Sequence, residues 1–219
     1  PLPLKPLPED VLVNQWPAGG KVEVSIFCPT YNHSAYIERA LCGFLGQVTK
    51  YRFEVIIRDD ASTDETGAII RRYAERYPSI IRPIYEQTNQ WHKRDGWEVL
   101  VTVSRGDYVC ICEGDDYWTD ARKLQTQIEI LRSDPSCSLV YQSAVRVRDG
   151  MVVSNDLMEN TLEIESVKMM KGVYIPTLSA CFRRSTSSAE FMPIRQSQLR
   201  IDVPGLKVDK FIQAFINVS

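Results

Sequence analysis

The sequence predicts an α/β fold, with a mixed, mainly parallel sheet covered by helices on both faces and an α+β second half. Three observations carry this prediction. Short apolar runs alternate with amphipathic stretches of about 10 to 14 residues through the first half, the pattern of right-handed βαβ units. Three of these runs pass directly into polar clusters, Pro29-Thr30-Tyr31-Asn32, Asp59-Asp60 and Glu113-Gly114-Asp115-Asp116, as ligand loops do at the carboxyl ends of parallel strands. Beyond Asp134-Pro135 the alternation stops and a hairpin signal appears at Asp149-Gly150.

Residues 1–20 carry five prolines and end on Gly19-Gly20, which disfavours helix and sheet. They read as a linker or extended arm whose Leu2, Leu4, Leu7 and Trp16 can pack on this domain or on another. A strand of about seven residues begins at Lys21 and is stopped by Pro29. Ser34 to Gln47 is helical, with Tyr36, Ile37, Ala40, Leu41, Phe44 and Leu45 on one stripe and Asn32 or Ser34 as the cap. Phe53 to Arg58 is the second strand. Ser62 and Glu65 make a capping box for a helix running to about Tyr77, before Pro78.

Ile80 to Tyr85 is a weaker strand, Gly96 to Ser104 a helix, and Tyr108 to Cys112 a buried strand. Asp120 to Arg132 is an amphipathic helix with Leu124, Ile128 and Leu131 along one side. In the second half, Ser138 to Val147 and Met151 to Ser154 form a hairpin. Thr161 to Met170 is a short helix, Val173 to Arg183 a strand region, and Val208 to Ile216 a terminal helix.

The 219 residues suffice for one substantial core, and 44% hydrophobic with 25% charged residues is ordinary globular composition. A net charge of -2 supplies no field that would recruit nucleic acid. The six cysteines lie mostly in apolar runs without zinc-finger spacing and read as buried free thiols. No apolar run approaches the ~20 residues of a membrane-spanning helix. Because it starts at Pro1 rather than Met, the sequence reads as a fragment, with further domains or a membrane anchor left open. A cytoplasmic location is expected, with any membrane association through parts outside this chain.

The acidic stretch after Tyr108 to Cys112 places Glu113, Asp115 and Asp116 at a strand end, where repulsion and desolvation call for a cation. Mg²⁺ and Mn²⁺ are held by one or two carboxylates, with phosphate oxygens completing the shell. Either Asp115 or Asp116 can bind directly, with Glu113 acting through water or a hydrogen bond; helix capping is the competing explanation. For Asp59-Asp60 one reading is a helix start rich in acids. The other is that one carboxylate accepts from the imide N–H of uracil or thymine while its neighbour is structural. An EF-hand is excluded, because its sixth and twelfth positions carry the wrong residues from either Asp. His33 and His92 share no ligand spacing. Lys93-Arg94 suits a diphosphate as well as a solvated loop. No nucleophile elbow, Walker loop or dinucleotide fingerprint is present.

Three segments together, S-I-F-C-P-T-Y-N-H-S-A-Y-I-E-R-A-L, F-E-V-I-I-R-D-D-A-S-T-D-E-T and R-G-D-Y-V-C-I-C-E-G-D-D-Y-W-T-D-A-R-K-L-Q-T-Q, resemble the family 2 glycosyltransferases of the GT-A fold. The likeness covers about residues 21–135. It implies an inverting transfer of a sugar from a nucleotide diphosphate donor, UDP- or dTDP-linked by preference, to an acceptor hydroxyl with Mn²⁺ or Mg²⁺. Acceptors in the family are saccharides, lipids or peptides, and a role in polysaccharide or glycoconjugate synthesis is the expectation.

By this resemblance, residues 21–116 form the nucleotide-sugar-binding half and 117–219 the acceptor-side half of one domain. Pro29, Thr30 and Tyr31 line the base pocket, and Asp60 reads the base with Asp59 beside it. Glu113-Gly114-Asp115 stands where many members have Asp-x-Asp, and Asp115 with Asp116 holds metal and diphosphate. The general base is expected at Asp209, with Asp202 as its rival, while N-terminal capping by Asp209 is the alternative explanation. Ile175 to Ser179 resembles an acceptor-side segment. A nucleotidyltransferase and a non-catalytic sugar or nucleotide-binding module remain the alternatives; the first lacks its Gly-rich basic loop.

Overall fold

The computed structural model describes residues 2–90, 96–135, 137–142, 144–148, 151–154, 176–184, 207–208 and 216–217. Its centre is the strand Val24–Thr30 (β1). Val24, Ile26 and Cys28 face one side and Phe27 the other, and all four are sealed, as a strand covered on both faces requires. β1 lies between Phe53–Asp59 (β2) and Tyr108–Ile111 (β4), and Ile81–Tyr85 (β3) flanks β2; all three pairings are parallel.

The strand does not stop at Pro29 but continues through it to Thr30, which pairs with Asp59. The Pro29 carbonyl accepts from Gly114 N–H at 3.0 Å on the β4 side, so its nitrogen faces that side too. The β1–β4 ladder has already ended at Phe27 and Ile111, so the missing N–H costs no sheet bond there.

Helix α2 (Ile37–Leu45) and helix α3 (Thr66–Arg76) cover the face that carries Ile26, Cys28, Val55 and Ile57. Ile37, Ala40, Leu41, Phe44 and Leu45 are fully buried. The larger of these contribute about 1.5–3 kcal/mol each by burial. Helix α4 (Gly96–Val103) buries Val99 and Leu100 outside that cluster. Helix α5 (Lys123–Ser133) places Leu124, Ile128 and Leu131 in the main core. The expected caps are not used: Tyr36 and Glu65 occupy the cap positions of α2 and α3 without a side-chain bond. Asn32, Ser62 and Asp64 bond across the two loops instead.

The proline-rich arm is less extended than its composition suggests. Glu9–Val13 forms one short helix, α1, with Pro8 just before its first turn and Leu12 fully buried. Trp16 packs edge-on against Phe53, and Leu7 N–H donates to the Leu45 carbonyl at 2.9 Å.

In the second half, Cys137–Val140 (β5) and Cys181–Arg183 (β8) extend the main sheet, β8 antiparallel to both β4 and β5. The segment expected as one strand from Ser138 to Val147 is split. Arg146–Arg148 (β6) pairs with Met151–Ser154 (β7) in a separate small sheet, as the Asp-Gly turn signal predicts. Lys207–Val208 (β9) adds to β5 and Ile216–Asn217 (β10) to β6. The expected terminal helix from Val208 to Ile216 is thereby corrected at both ends, which are strand because edge pairing with β5 and β6 satisfies their backbone; residues 209–215 lie outside the described residues. The helix expected at Thr161 to Met170, the loop dipeptide Lys93-Arg94, and both Asp202 and Asp209 lie outside the described residues. The main sheet runs β3-β2-β1-β4-β8-β5-β9.

At the amino ends of the strands lies a buried polar network. Glu54, 2% exposed, accepts from Ser25 Oγ at 2.7 Å, Arg82 Nη1 at 2.6 Å and Arg105 N–H at 2.8 Å. Glu54→Ala strands these donors and should lower stability by about 2–4 kcal/mol. Urea unfolding would show it, and a shift under about 0.5 kcal/mol would mean that water replaces the carboxylate at no cost.

Candidate active site

The order β2-β1-β4 sets three carboxyl ends side by side, where the chain first runs outward through β2 and β3 and then returns to the other side of β1. Backbone bonds tie the loops there: Asp60 N–H donates to Thr30 O at 2.9 Å and Gly114 N–H to Pro29 O at 3.0 Å. The three polar clusters singled out in the sequence therefore meet at one edge.

The first two loops are clasped together. Asn32 (φ 53) and Ala61 (φ 64) adopt left-handed backbone, at a cost of about 1 kcal/mol each. What holds them there is a set of crossed bonds. Asn32 N–H donates to Ser62 Oγ at 2.9 Å and Thr63 N–H to Asn32 Oδ1 at 2.8 Å. Asp64 accepts from Ser34 N–H at 3.1 Å and from Thr66 N–H at 2.9 Å, so this residue caps α3. Burial pushes the Asp64 carboxyl up, but the bonds from Thr66 and Ser34 outweigh it and hold the group well below the usual carboxylate range.

The clasp separates the two neighbouring aspartates. Asp59 Oδ1 accepts from Ser62 N–H at 3.0 Å, and its Oδ2 lies against Gly67, so Asp59 braces the loop. Asp60 Oδ1 accepts from Gln90 N–H at 2.8 Å and lies 3.6 Å from Arg58 Nη2. Arg58 is in turn fixed by Glu86 at 2.9 Å. The hydrogen bond from Gln90 and the ion pair with Arg58 both fall on Oδ1.

Gly114 is where the first and third clusters touch. A Cβ there would lie 2.4 Å from Thr30 Oγ1 and 3.0 Å from His33 Nδ1, so only glycine permits the approach. Thr30 Oγ1 and His33 Nδ1 are both buried without a hydrogen-bond partner among the described residues. His33 Nδ1 lies 3.7 Å from Asp115 Oδ1, a proximity that no ligand spacing in the sequence signals. Asp116 N–H closes the turn onto Glu113 O at 3.1 Å. Tyr31 projects from the end of β1 with 42% of its surface exposed.

Glu113 takes a different part. Both its oxygens accept from the Thr177 hydroxyl, at 3.0 and 2.8 Å. Burial pushes its carboxyl up, against the opposing pull of that hydroxyl. Trp118, fully buried, packs edge-on against Phe44 and donates to the Leu178 carbonyl at 2.9 Å. Sequence reasoning passed over Lys123 and Gln127 as site residues and took Thr177 only as part of an acceptor-side segment; no local pattern marks their contacts, which come from the approach of β8 to β4.

Among the described residues no three His, Cys, Asp or Glu side chains gather into a metal cage. The donor set fits Mn²⁺ or Mg²⁺ all the same, because Asp115 and Asp116 supply the one or two hard carboxylates that such ions take when phosphate completes the shell. Among the described residues, no helix is long and apolar enough to cross a membrane.

A mainly parallel sheet with its order reversal beside β1, continued past the single reversed strand β8 and carrying polar loops at its carboxyl edge, is the architecture of a GT-A glycosyltransferase domain, as the sequence predicts. Residues 25–186 match the family described as glycosyl transferase family 2, and the chain belongs to that family. An uncharacterized protein of Mycobacterium tuberculosis is 40% identical over 178 residues, 78% of this chain and 51% of its own length. The chain thus spans about half the length of the curated relatives it matches.

Solved structures share the fold, among them two ligand complexes. S. aureus TarS 1-349 in complex with UDP-GlcNAc superimposes with a TM-score of 0.65 at 18% identity, over 90% of this chain and 59% of that one. Mannosyltransferase PcManGT from Pyrobaculum calidifontis, in complex with GDP-Man and Mn²⁺, does so with a TM-score of 0.54 at 24% identity, over 84% and 48%. At these identities the likeness is one of fold.

Proposed function

We propose that this chain is the donor-binding and catalytic domain of an inverting glycosyltransferase that moves a sugar from a UDP- or dTDP-sugar to an acceptor hydroxyl in polysaccharide or glycoconjugate synthesis. The observation that carries the proposal is the convergence of Thr30, Asp60 and the Gly114 to Asp116 turn at one sheet edge, joined by backbone bonds of 2.9 and 3.0 Å.

In this reading Pro29, Thr30 and Tyr31 line the base pocket, with the exposed Tyr31 ring available for stacking. Asp60 accepts the imide N–H of the base on Oδ2, because its Oδ1 is already engaged, and Asp59 braces the loop from behind. Asp115 and Asp116 would hold Mn²⁺ or Mg²⁺ against the diphosphate, at the turn that begins with Glu113-Gly114. The ion, when bound, neutralises charge on the departing nucleoside diphosphate. Displacement with inversion needs a general base on the opposite face of the sugar, and Asp209, following β9, is the candidate, with Asp202 as its rival.

The test is a thermal-shift series with UDP, dTDP, GDP and their sugars, each with Mn²⁺ and with EDTA, followed by an assay for release of nucleoside diphosphate. Stabilisation by UDP or dTDP that grows with Mn²⁺, together with donor turnover, is expected. Mn²⁺-independent binding without turnover would indicate a binding module instead.

A further inference from the structure

The stretch that carries the acidic turn also grips the second half of the domain. Four side chains from residues 113–127 reach the 3-10 turn Thr177–Ser179 or its carbonyls. Glu113 takes the Thr177 hydroxyl, Trp118 donates to Leu178 O, and Gln127 donates to Ser179 O at 2.8 Å. Lys123 donates to the same carbonyl at 3.2 Å and to Gln127 Oε1 at 2.6 Å. The turn is closed from within by Ser179 Oγ donating to Pro176 O at 2.6 Å.

This is a costly way to hold a turn. Lys123 is fully buried, with a carboxamide, a carbonyl and the Trp118 ring 4.7 Å away as its partners, and burial pushes its ammonium pKa down. Glu113 spends both oxygens on one hydroxyl. Apolar residues would anchor the segment at less expense, so directional bonds here point to a geometry that is being specified.

Resting on the donor-site reading above, we infer that Glu113 is a positioning residue and not a metal ligand. Through Thr177 it ties the Gly114 to Asp116 turn to the Pro176 to Ala180 segment, so that the Asp115 and Asp116 carboxylates and the second half of the domain are held as one body. The consequence is specific. Breaking the Glu113 to Thr177 bond should disturb the metal side of the donor site while leaving the base pocket, built on β1 and β2, as it was.

UDP affinity measured by calorimetry with Mn²⁺ and with EDTA separates the two sides. Thr177→Val is expected to lose about tenfold of the Mn²⁺-dependent gain in affinity, the scale of a lost partner behind a metal ligand, with UDP affinity in EDTA unchanged. Thr177→Ser, which keeps the hydroxyl, should restore the gain. Glu113→Gln should keep it within about twofold, because the amide oxygen still accepts from Thr177 while the charge is gone. If Glu113→Gln loses the gain as fully as removal of Asp115 does, Glu113 is a ligand and the inference fails. Retention of the gain in Thr177→Val overturns it equally. A wild-type chain that binds no nucleotide in either buffer would sink the donor-site reading, and this inference with it.

Discussion

Asp115→Ala should remove the Mn²⁺-dependent part of nucleotide binding and cut sugar transfer by roughly a hundredfold or more, with the fold intact. The reason lies in what Asp115 does and does not touch. Its side chain is 36% exposed and its nearest basic atom is His33 Nδ1 at 3.7 Å, too long for a strong hydrogen bond. Truncation therefore strands no buried donor, and the melting temperature should move by no more than about 2 °C. What is lost is a hard oxygen donor at the place where the diphosphate leaves, and no other side chain on the Gly114 to Asp116 turn can double for it beyond Asp116. The check is donor turnover at saturating Mn²⁺ beside a melting curve of the same sample. A folded variant with full turnover would remove Asp115 from the metal site.

The second large effect is expected at Asp60. Gln90 N–H and Arg58 both face Oδ1, and Arg58 is pinned by Glu86, so Asp60→Asn has one sensible orientation. The amide oxygen must take the Oδ1 place, which turns the NH2 toward the position that Oδ2 held. An acceptor becomes a donor there, facing the imide N–H of uracil. The cost is one broken and one repelled hydrogen bond, about 1–3 kcal/mol, or roughly tenfold to a hundredfold in UDP affinity. CDP, whose ring nitrogen at that position accepts, should lose less or gain. Titration of both nucleotides into wild type and variant decides the matter. If UDP and CDP weaken equally, Asp60 supports the pocket without reading the base edge.

The clasp between the first two loops shows how far local patterns reach. Ser62 and Glu65 satisfy the spacing of a capping box, yet Ser62 Oγ accepts from Asn32, thirty residues away, and Asp64 does the capping. A capping box competes with any other donor within reach, and the neighbouring strand end brings one closer. Strand breaking by Pro29 failed for a related reason: its cost depends on whether the neighbouring strand still needs a donor at that point, and β4 had ended.

Sequence by itself determined the alternation of strands and helices from residue 21 to 135, the inward stripes of α2 and α5, and the three polar clusters at strand ends. Periodicity, turn chemistry and strand termination act within a few residues, so they are legible in a single chain. Only the tertiary structure decided which aspartate braces and which has an oxygen left over, that His33 stands beside Asp115, and that Glu113 answers to Thr177, 64 residues on. The strand state of Val208 and Ile216, expected as the two ends of a helix, belongs with these. Each depends on which strand lies next to which, a choice made by burying the whole sheet at once, and it leaves no mark on the spacing of the residues that carry it.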